Sequence, residues 1–264
     1  MQLADKSVVV TGGGSGIGAA LCHRFAAEGA RVLASDIDGS AADAVAAEIG
    51  GVAHHGDVAD ELRVREMIRA AEDAHGPVDL LCLNAGVAVG GSVDVPDEAW
   101  QRAWDVNVMS HIYGVRAVLP SMLERGEGYL LHTASAAGLL TNLGAAPYSV
   151  TKHAVVALAE WLSITYGAAG IRVSCLCPQF VATPMLDELA DISTGFSTFA
   201  HDTSIPPDEV AAAVVAGIAE ERFLILPHPE VGDYFRAKAN DYERWLAGMR
   251  DLQHRLGADP GEAP

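Results

Sequence analysis

The chain lacks any run near the ~18 consecutive apolar residues that a membrane-spanning helix requires. Its start, MQLADKSVVV, has no basic segment leading into an apolar stretch and a cleavage site. Both absences lead to the expectation of a soluble, cytoplasmic protein. Cysteine is scarce: Cys22, Cys82, Cys175 and Cys177 are the four, and none belongs to a CxxC pair. That spacing argues against a disulfide framework or a zinc site and for reduced, buried thiols, so no metal is expected. Basic residues are outnumbered 17 to 35 by acidic ones, for a formal net charge of -18. A surface of that sign repels phosphate backbones and anionic headgroups, which removes nucleic acid and membranes from the expected partners. No Pro/Ser-rich linker or composition break interrupts residues 1–227.

What is present is a regular alternation. Short apolar or β-branched runs at 7–11, 30–35, 51–55, 78–84, 128–135, 171–177 and 222–227 read as strands. Helical patterns lie between them, among them 16–28, 39–49, 60–74, 97–124 and 148–168. Strands that are apolar on both sides and alternate with helices call for a parallel sheet covered on both faces. The fold class is therefore α/β: a doubly wound, Rossmann-like parallel sheet of about seven strands, as a single domain over residues 1–227. From about 228 the pattern changes, with Phe235, Tyr242, Trp245, Leu246, Met249, Leu252 and Leu256 at helical spacing. Residues 228–264 are read as one appended helix and a frayed tail.

The stretch TGGGSGIG (11–18) follows the first strand and precedes a helix. A crossover turn there must bend sharply and let phosphates reach the amides of the next helix, and Gly12, Gly16 and Gly18 leave that room. Asp36 ends the second strand, where a carboxylate can accept hydrogen bonds from adenosine ribose hydroxyls and repel a 2′-phosphate. NAD is thus favoured over NADP. Asp57 could accept from an adenine amine, although DVADEL is equally a helix start. Tyr148 and Lys152 are four apart in a helical segment, so they share one face, with Cβ atoms roughly 5–6 Å apart. Moving a proton to or from an alcohol near neutral pH asks a tyrosine to ionise below its reference value of about 10, and a neighbouring ammonium and a positive nicotinamide ring both favour that.

Taken in order, TGGGSGIG, Asp36, NAG (84–86), Asn107 in DVNVMSH, Ser135 and YSVTK (148–152) resemble the short-chain dehydrogenase/reductases over roughly residues 5–227. The resemblance implies an alcohol dehydrogenase or ketoreductase with Tyr148 as acid/base and Lys152 as its electrostatic partner on the nicotinamide ribose. By the same resemblance Ser135 holds the substrate oxygen and Asn107 orders a water behind Lys152. It also implies cofactor contacts from Gly12, Ser15, Gly16, Ile17 and Gly18, from Asp36 and Ile37, and from Asp57 and Val58. Asn84, Ala85, Gly86, Tyr148, Lys152, Pro178, Val181 and Thr183 complete that set. Two positions depart from the family pattern: Leu83 stands where a second Asn is usual, and Gln179 replaces a Gly, which points a polar side chain toward the nicotinamide.

The segment between Thr183 and Pro206 carries Phe196 and Phe199 among small polar residues and follows a strand at the cofactor end, so it is expected to close over the substrate. Leu139, Leu140 and Leu143 are expected to form an opposing apolar wall. With Ser135, Tyr148 and Gln179 these residues would favour a medium-sized apolar substrate, aromatic, cyclic or steroid-like. The expected activity is NAD-dependent interconversion of a secondary alcohol and a ketone. A reductase of carrier-bound 3-oxoacyl groups is disfavoured because an acidic carrier would meet an acidic protein. A silent NAD(H)-binding regulator is disfavoured by the complete Asn107, Ser135, Tyr148 and Lys152 set. His54, His55, His111, His132, His153 and His201 form no ligand spacing and are read as packing or surface residues. Helices 97–124 and 148–168 are apolar around much of their circumference, which implies a second buried face and a homotetramer, or failing that a dimer.

Overall fold

The computed structural model describes residues 1–188 and 194–257, the side chains of residues 187, 188 and 194–196 excepted. The seven apolar runs form seven parallel strands: β1 (Ser7–Thr11), β2 (Arg31–Asp36), β3 (Val52–His55), β4 (Leu80–Leu83), β5 (Gly128–Thr133), β6 (Ile171–Leu176) and β7 (Leu224–Ile225). They lie in one sheet in the order β3-β2-β1-β4-β5-β6-β7. Ser7–Thr11 pair with Arg31–Ser35 on one side, and Val8–Val10 pair with Leu80–Cys82 on the other.

Connecting them are α1 (Gly16–Ala27), α2 (Gly39–Ile49), α3 (Glu61–His75), α4 (Asp97–Trp104), α5 (Ser110–Arg125), α6 (Ala137–Leu140) and α7 (Ala146–Tyr166). After β6 come α8 (Pro184–Glu188), α9 (Thr194–Asp202) and α10 (Pro207–Ala219), and after β7 come α11 (Glu230–Asn240) and α12 (Tyr242–Arg255). Because successive strand residues point to opposite faces, the sheet feeds two cores. Val9, Leu81 and Leu130 bury against α3, α5 and α7, while Val8, Val10, Leu80 and Leu131 bury against α1 and α10. Helix starts are set locally. Asp38 accepts from the amides of Ser40 and Ala41 to begin α2, and Asp60 accepts from Leu62 to begin α3.

Two expectations about helices need correction. The segment 97–124 is not one uniform α-helix: α4 and α5 are joined by a π turn at Asp105–Met109, which carries Asn107. A π turn accommodates one extra residue, and here that residue set includes an inward asparagine with partners of its own. The C-terminal extension is two helices instead of one, because Asp241 leaves helical geometry and accepts from the Arg244 amide as the cap of α12. The extension is fixed to the rest of the chain: Val231 is fully buried and Lys238 Nζ donates to Leu139 O at 2.7 Å. Among the described residues no helix is long and apolar enough to cross a membrane.

Candidate active site

The strand order reverses direction between β1 and β4, and in such sheets the crevice beyond the carboxyl ends of the strands is where ligands bind. Thr11, the last residue of β1, organises that edge. Its hydroxyl accepts from the amides of Asn84 and Ala85 at 2.9 and 3.0 Å. Asn84 Nδ2 donates to Thr11 O, and its Oδ1 accepts from Thr133 Oγ1, so one side chain ties together the ends of β1, β4 and β5.

A cavity of about 340 Å³ opens at this edge. Every residue nominated for the cofactor lines it: Gly12, Ser15, Gly16, Ile17, Gly18, Asp36, Ile37, Asp57, Val58, Asn84, Ala85, Gly86, Tyr148, Lys152, Pro178, Val181 and Thr183. The glycine turn is obligatory on two counts. Gly12 has φ +64, and a Cβ on Gly18 would lie 1.8 Å from Gly12 O. Asp36 is held by that turn, its Oδ2 accepting from Gly14 N at 2.9 Å and its Oδ1 from Asp38 N at 3.0 Å. Asp57 accepts from Ala59 N in the turn that precedes α3, whose cap is Asp60, and also pairs with Arg102 at 3.0 Å. Arg102, on α4, was not nominated from sequence; it reaches the cavity from a segment 45 residues away.

Asn107 is fully buried. Its Oδ1 accepts from Val87 N, and its Nδ2 donates to Val87 O and to Thr151 Oγ1. The side chain thereby joins the loop after β4 to α7, one residue from Lys152. Lys152 is 3% exposed and its Nζ donates to Thr133 O at 3.0 Å. Burial lowers its pKa from 10.5 to about 8, against the opposing pull of the Cys177 and Cys175 thiols. Tyr148 stands one helical turn before it, with Nζ 5.6 Å from the ring centroid. Burial holds the Tyr148 phenol above its usual value, offset in part by a hydrogen bond with Ser135 and reinforced by Cys177. Among the protein's own groups, desolvation is the largest influence on the phenol. Ser135 lies two residues beyond the end of β5, where its hydroxyl accepts from Ala137 N at 3.1 Å.

A second cavity, of about 800 Å³, meets the first at Ser135, Tyr148, Gln179 and Phe180. Leu140, Leu143 and Phe199 line it, and Phe199 packs edge-on against Phe180 with ring centroids 5.9 Å apart. Leu139 does not line it: its side chain belongs to the core under α7, and its carbonyl is taken by Lys238. The side chain of Phe196 lies outside the described residues. Gln179 borders both cavities, its amide donating to Nδ1 of the buried His228 at 3.1 Å.

The wall that sequence reasoning missed is the C-terminal one. Tyr234, Ala237, Arg244, Trp245, Met249, Leu252 and Leu256 of α11, α12 and the residue beyond face the larger cavity. Their helical spacing was visible, but spacing does not say what a helix covers. Among the histidines, His111 and His132 form a buried stacked pair with Nδ1 atoms 2.9 Å apart, and burial holds both well below the usual imidazole value. No metal-holding group occurs among the described residues.

A family profile described as "short chain dehydrogenase" matches residues 6–193. The chain is 36% identical over 256 residues to the 1-deoxy-11-beta-hydroxypentalenate dehydrogenase of Streptomyces exfoliatus, covering 94% of this chain and 92% of that one. It is 36% identical over 227 residues to the meso-2,3-butanediol dehydrogenase of Serratia marcescens, covering 84% of this chain and 90% of that one. Among solved structures, a short chain dehydrogenase/reductase from Burkholderia phymatum in complex with NAD superposes with a TM-score of 0.84 at 31% identity, covering 92% of this chain and 96% of that one.

Proposed function

Since the chain belongs to the short-chain dehydrogenase family, we propose that it is an NAD-dependent oxidoreductase that interconverts a secondary alcohol and a ketone on a medium-sized apolar molecule. The observation that carries this reading is the meeting of the two cavities at Ser135 and Tyr148. One is a glycine-floored slot with a carboxylate at its far strand end, and the other is large and mostly apolar. Gly12, Gly16 and Gly18 would take the pyrophosphate, Asp36 the adenosine ribose, Lys152 the nicotinamide ribose, and Val181 and Thr183 the carboxamide. When bound, the oxidised cofactor supplies a hydride acceptor and a positive charge.

Ser135 holds the substrate hydroxyl against Tyr148, which takes the hydroxyl proton as the carbinol C–H bond breaks and the C=O bond forms. Burial raises the phenol, so Tyr148 stays protonated, the state that the reductive direction starts from, and needs that added positive charge to act as a base. Lys152 keeps a cation beside the ring, with its own position fixed by Thr133 O. Asn107 fixes the loop and helix on either side of Lys152, and a water ordered at the π turn would extend the path. The relatives' names, a hydroxypentalenate and a butanediol, support an alcohol substrate.

In this reading residues 1–227 are the cofactor-binding and catalytic unit, and 228–264 complete the substrate wall. Four free, buried cysteines suit a reducing cytoplasm. Val150, Trp161 and Ile164 of α7 leave apolar surface outward, Ile164 at 83% exposure, which supports a homotetramer, or a dimer, assembled through α5 and α7; a monomeric mass in light scattering would remove that part.

A panel of secondary alcohols with NAD, followed by NADH absorbance, tests the activity. Cyclic or aromatic alcohols should exceed 2-propanol in kcat/KM by about a hundredfold, which requires roughly 110 Å² of extra apolar burial at ~25 cal/mol per Å². Equal efficiency would refute the substrate class, and no turnover across the panel would refute the enzyme.

A further inference from the structure

The larger cavity is mostly apolar, yet α12 brings two arginines to its wall, Arg244 and Arg255. They are eleven residues apart, three helical turns, which sets them on the same face about 16 Å from each other. Between them on that face are Gly248 and Leu252, and a Cβ added at Gly248 would meet nothing within 4 Å.

The two guanidinium groups are unlike most others in the chain. Arg24, Arg63, Arg65, Arg102, Arg172, Arg222 and Arg236 each pair with a carboxylate. Arg255 Nε donates to the Asp251 carbonyl of its own helix, and its side chain has no carboxylate partner among the described residues. Arg244 contributes its backbone amide to the Asp241 cap, and its side chain has no hydrogen-bond or ion-pair partner among the described residues. Arg31, Arg69, Arg125 and Arg250 also lack a carboxylate among the described residues, but none of them borders the cavity. In a chain with 35 acidic residues and 17 basic ones, carboxylates are abundant, and among the described residues the arginines facing this cavity still go without, the one carboxylate lining it, Asp241, being turned to the Arg244 backbone amide. The surrounding surface of net charge -18 would repel an anion, so an anionic ligand here needs a local cation.

Resting on the dehydrogenase reading of this cavity, we infer that the substrate is an anionic alcohol: a compact apolar body whose carbinol reaches Ser135 and Tyr148 and whose carboxylate is held by Arg244. A planar guanidinium can grip a carboxylate through two parallel hydrogen bonds, and Asn240 beside it offers a neutral amide donor to the same group. Arg255 adds positive potential from the other end of the helix face.

The test compares 4-hydroxycyclohexanecarboxylate with its carboxamide, which has the same shape and no charge. The carboxylate should have about a tenfold higher kcat/KM with NAD, shrinking with added salt. Arg244→Gln should bring the ratio near one, and Arg244→Lys should keep part of it. Arg244 is exposed, so these variants keep the fold, which a thermal melt checks. Equal or better turnover of the carboxamide by the unaltered protein overturns the inference while leaving the alcohol dehydrogenase standing. A preference that survives Arg244→Gln also overturns it. Calorimetric titration of cyclohexanecarboxylate and its carboxamide gives a reading independent of turnover: tighter carboxylate binding lost in Arg244→Gln supports the inference, and equal affinities refute it.

Discussion

Replacing Lys152 with methionine should abolish turnover and stabilise the fold. Burial lowers the ammonium pKa from 10.5 to about 8. The unfolded chain therefore keeps this proton at pH values where the folded protein releases it. At about 1.36 kcal/mol per pH unit, the folded state pays ~3 kcal/mol wherever the lysine is charged in both states, below pH 8. The penalty shrinks as pH rises from 8 to 10.5 and vanishes above, so the sign is a cost at neutral pH. Methionine keeps the apolar stem and forfeits the 3.0 Å bond to Thr133 O, a loss of about 1 kcal/mol. The net gain at pH 7 is ~2 kcal/mol, or roughly 4 °C in Tm for a chain of this length. At pH 10 only about 1 kcal/mol of penalty remains and the lost hydrogen bond cancels it, so the two proteins should melt together. Scanning calorimetry of both proteins at pH 7 and pH 10 measures the difference. A variant less stable at pH 7, or equally stabilised at both pH values, would show that the lysine is not held against its own desolvation.

Tyr148→Phe should lose nearly all turnover and keep NADH affinity within a few fold, since the ring stays and the transferable proton goes; comparable rates in the variant would discard Tyr148 as the acid/base. The unaltered protein should prefer NAD to NADP by at least about tenfold, ~1.4 kcal/mol, on the like charge of Asp36. Asp36→Ala should narrow that gap, and equal efficiency with both cofactors before mutation would end the argument. Ending the chain after Asp241 removes α12 but keeps Val231 and Lys238, so the fold should persist with KM for a cyclic alcohol raised about tenfold or more and that for 2-propanol little changed. A cyclic-alcohol KM that does not move would mean that α12 contributes no binding surface.

The sheet was legible because a strand buried on both faces can only be written in apolar residues, and seven such runs stand in order from Ser7 to Ile225. The cofactor slot was legible for a related reason: a turn that forbids side chains must be glycine, and Gly12 and Gly18 admit no alternative. The C-terminal part of the substrate wall was not, because it depends on where α11 and α12 pack, and that is decided by long-range contacts such as Lys238 to Leu139, 99 residues apart. Helical spacing marked Trp245, Met249 and Leu252 as apolar positions without saying what they face. The break at Asp241 was readable in principle, since an Asn-Asp pair ahead of a helical stretch is a capping signal. The upward push of burial on the Tyr148 phenol was not legible, because sequence names the neighbouring lysine and is silent about the water excluded around both.

The stretch matched by the family profile ends at residue 193, whereas Phe199, α11 and α12 all lie beyond it. The reacting groups, with Leu140, Leu143 and Gln179 of the substrate cavity, thus precede the part of the gene that encodes its C-terminal wall. Substitutions, insertions or a recombined 3′ end can reshape what the enzyme accepts while Ser135, Tyr148 and Lys152 stay where the sheet sets them. A catalytic floor with an exchangeable roof can diverge into new substrate ranges by replacing one terminal segment, and a designer can use the same seam.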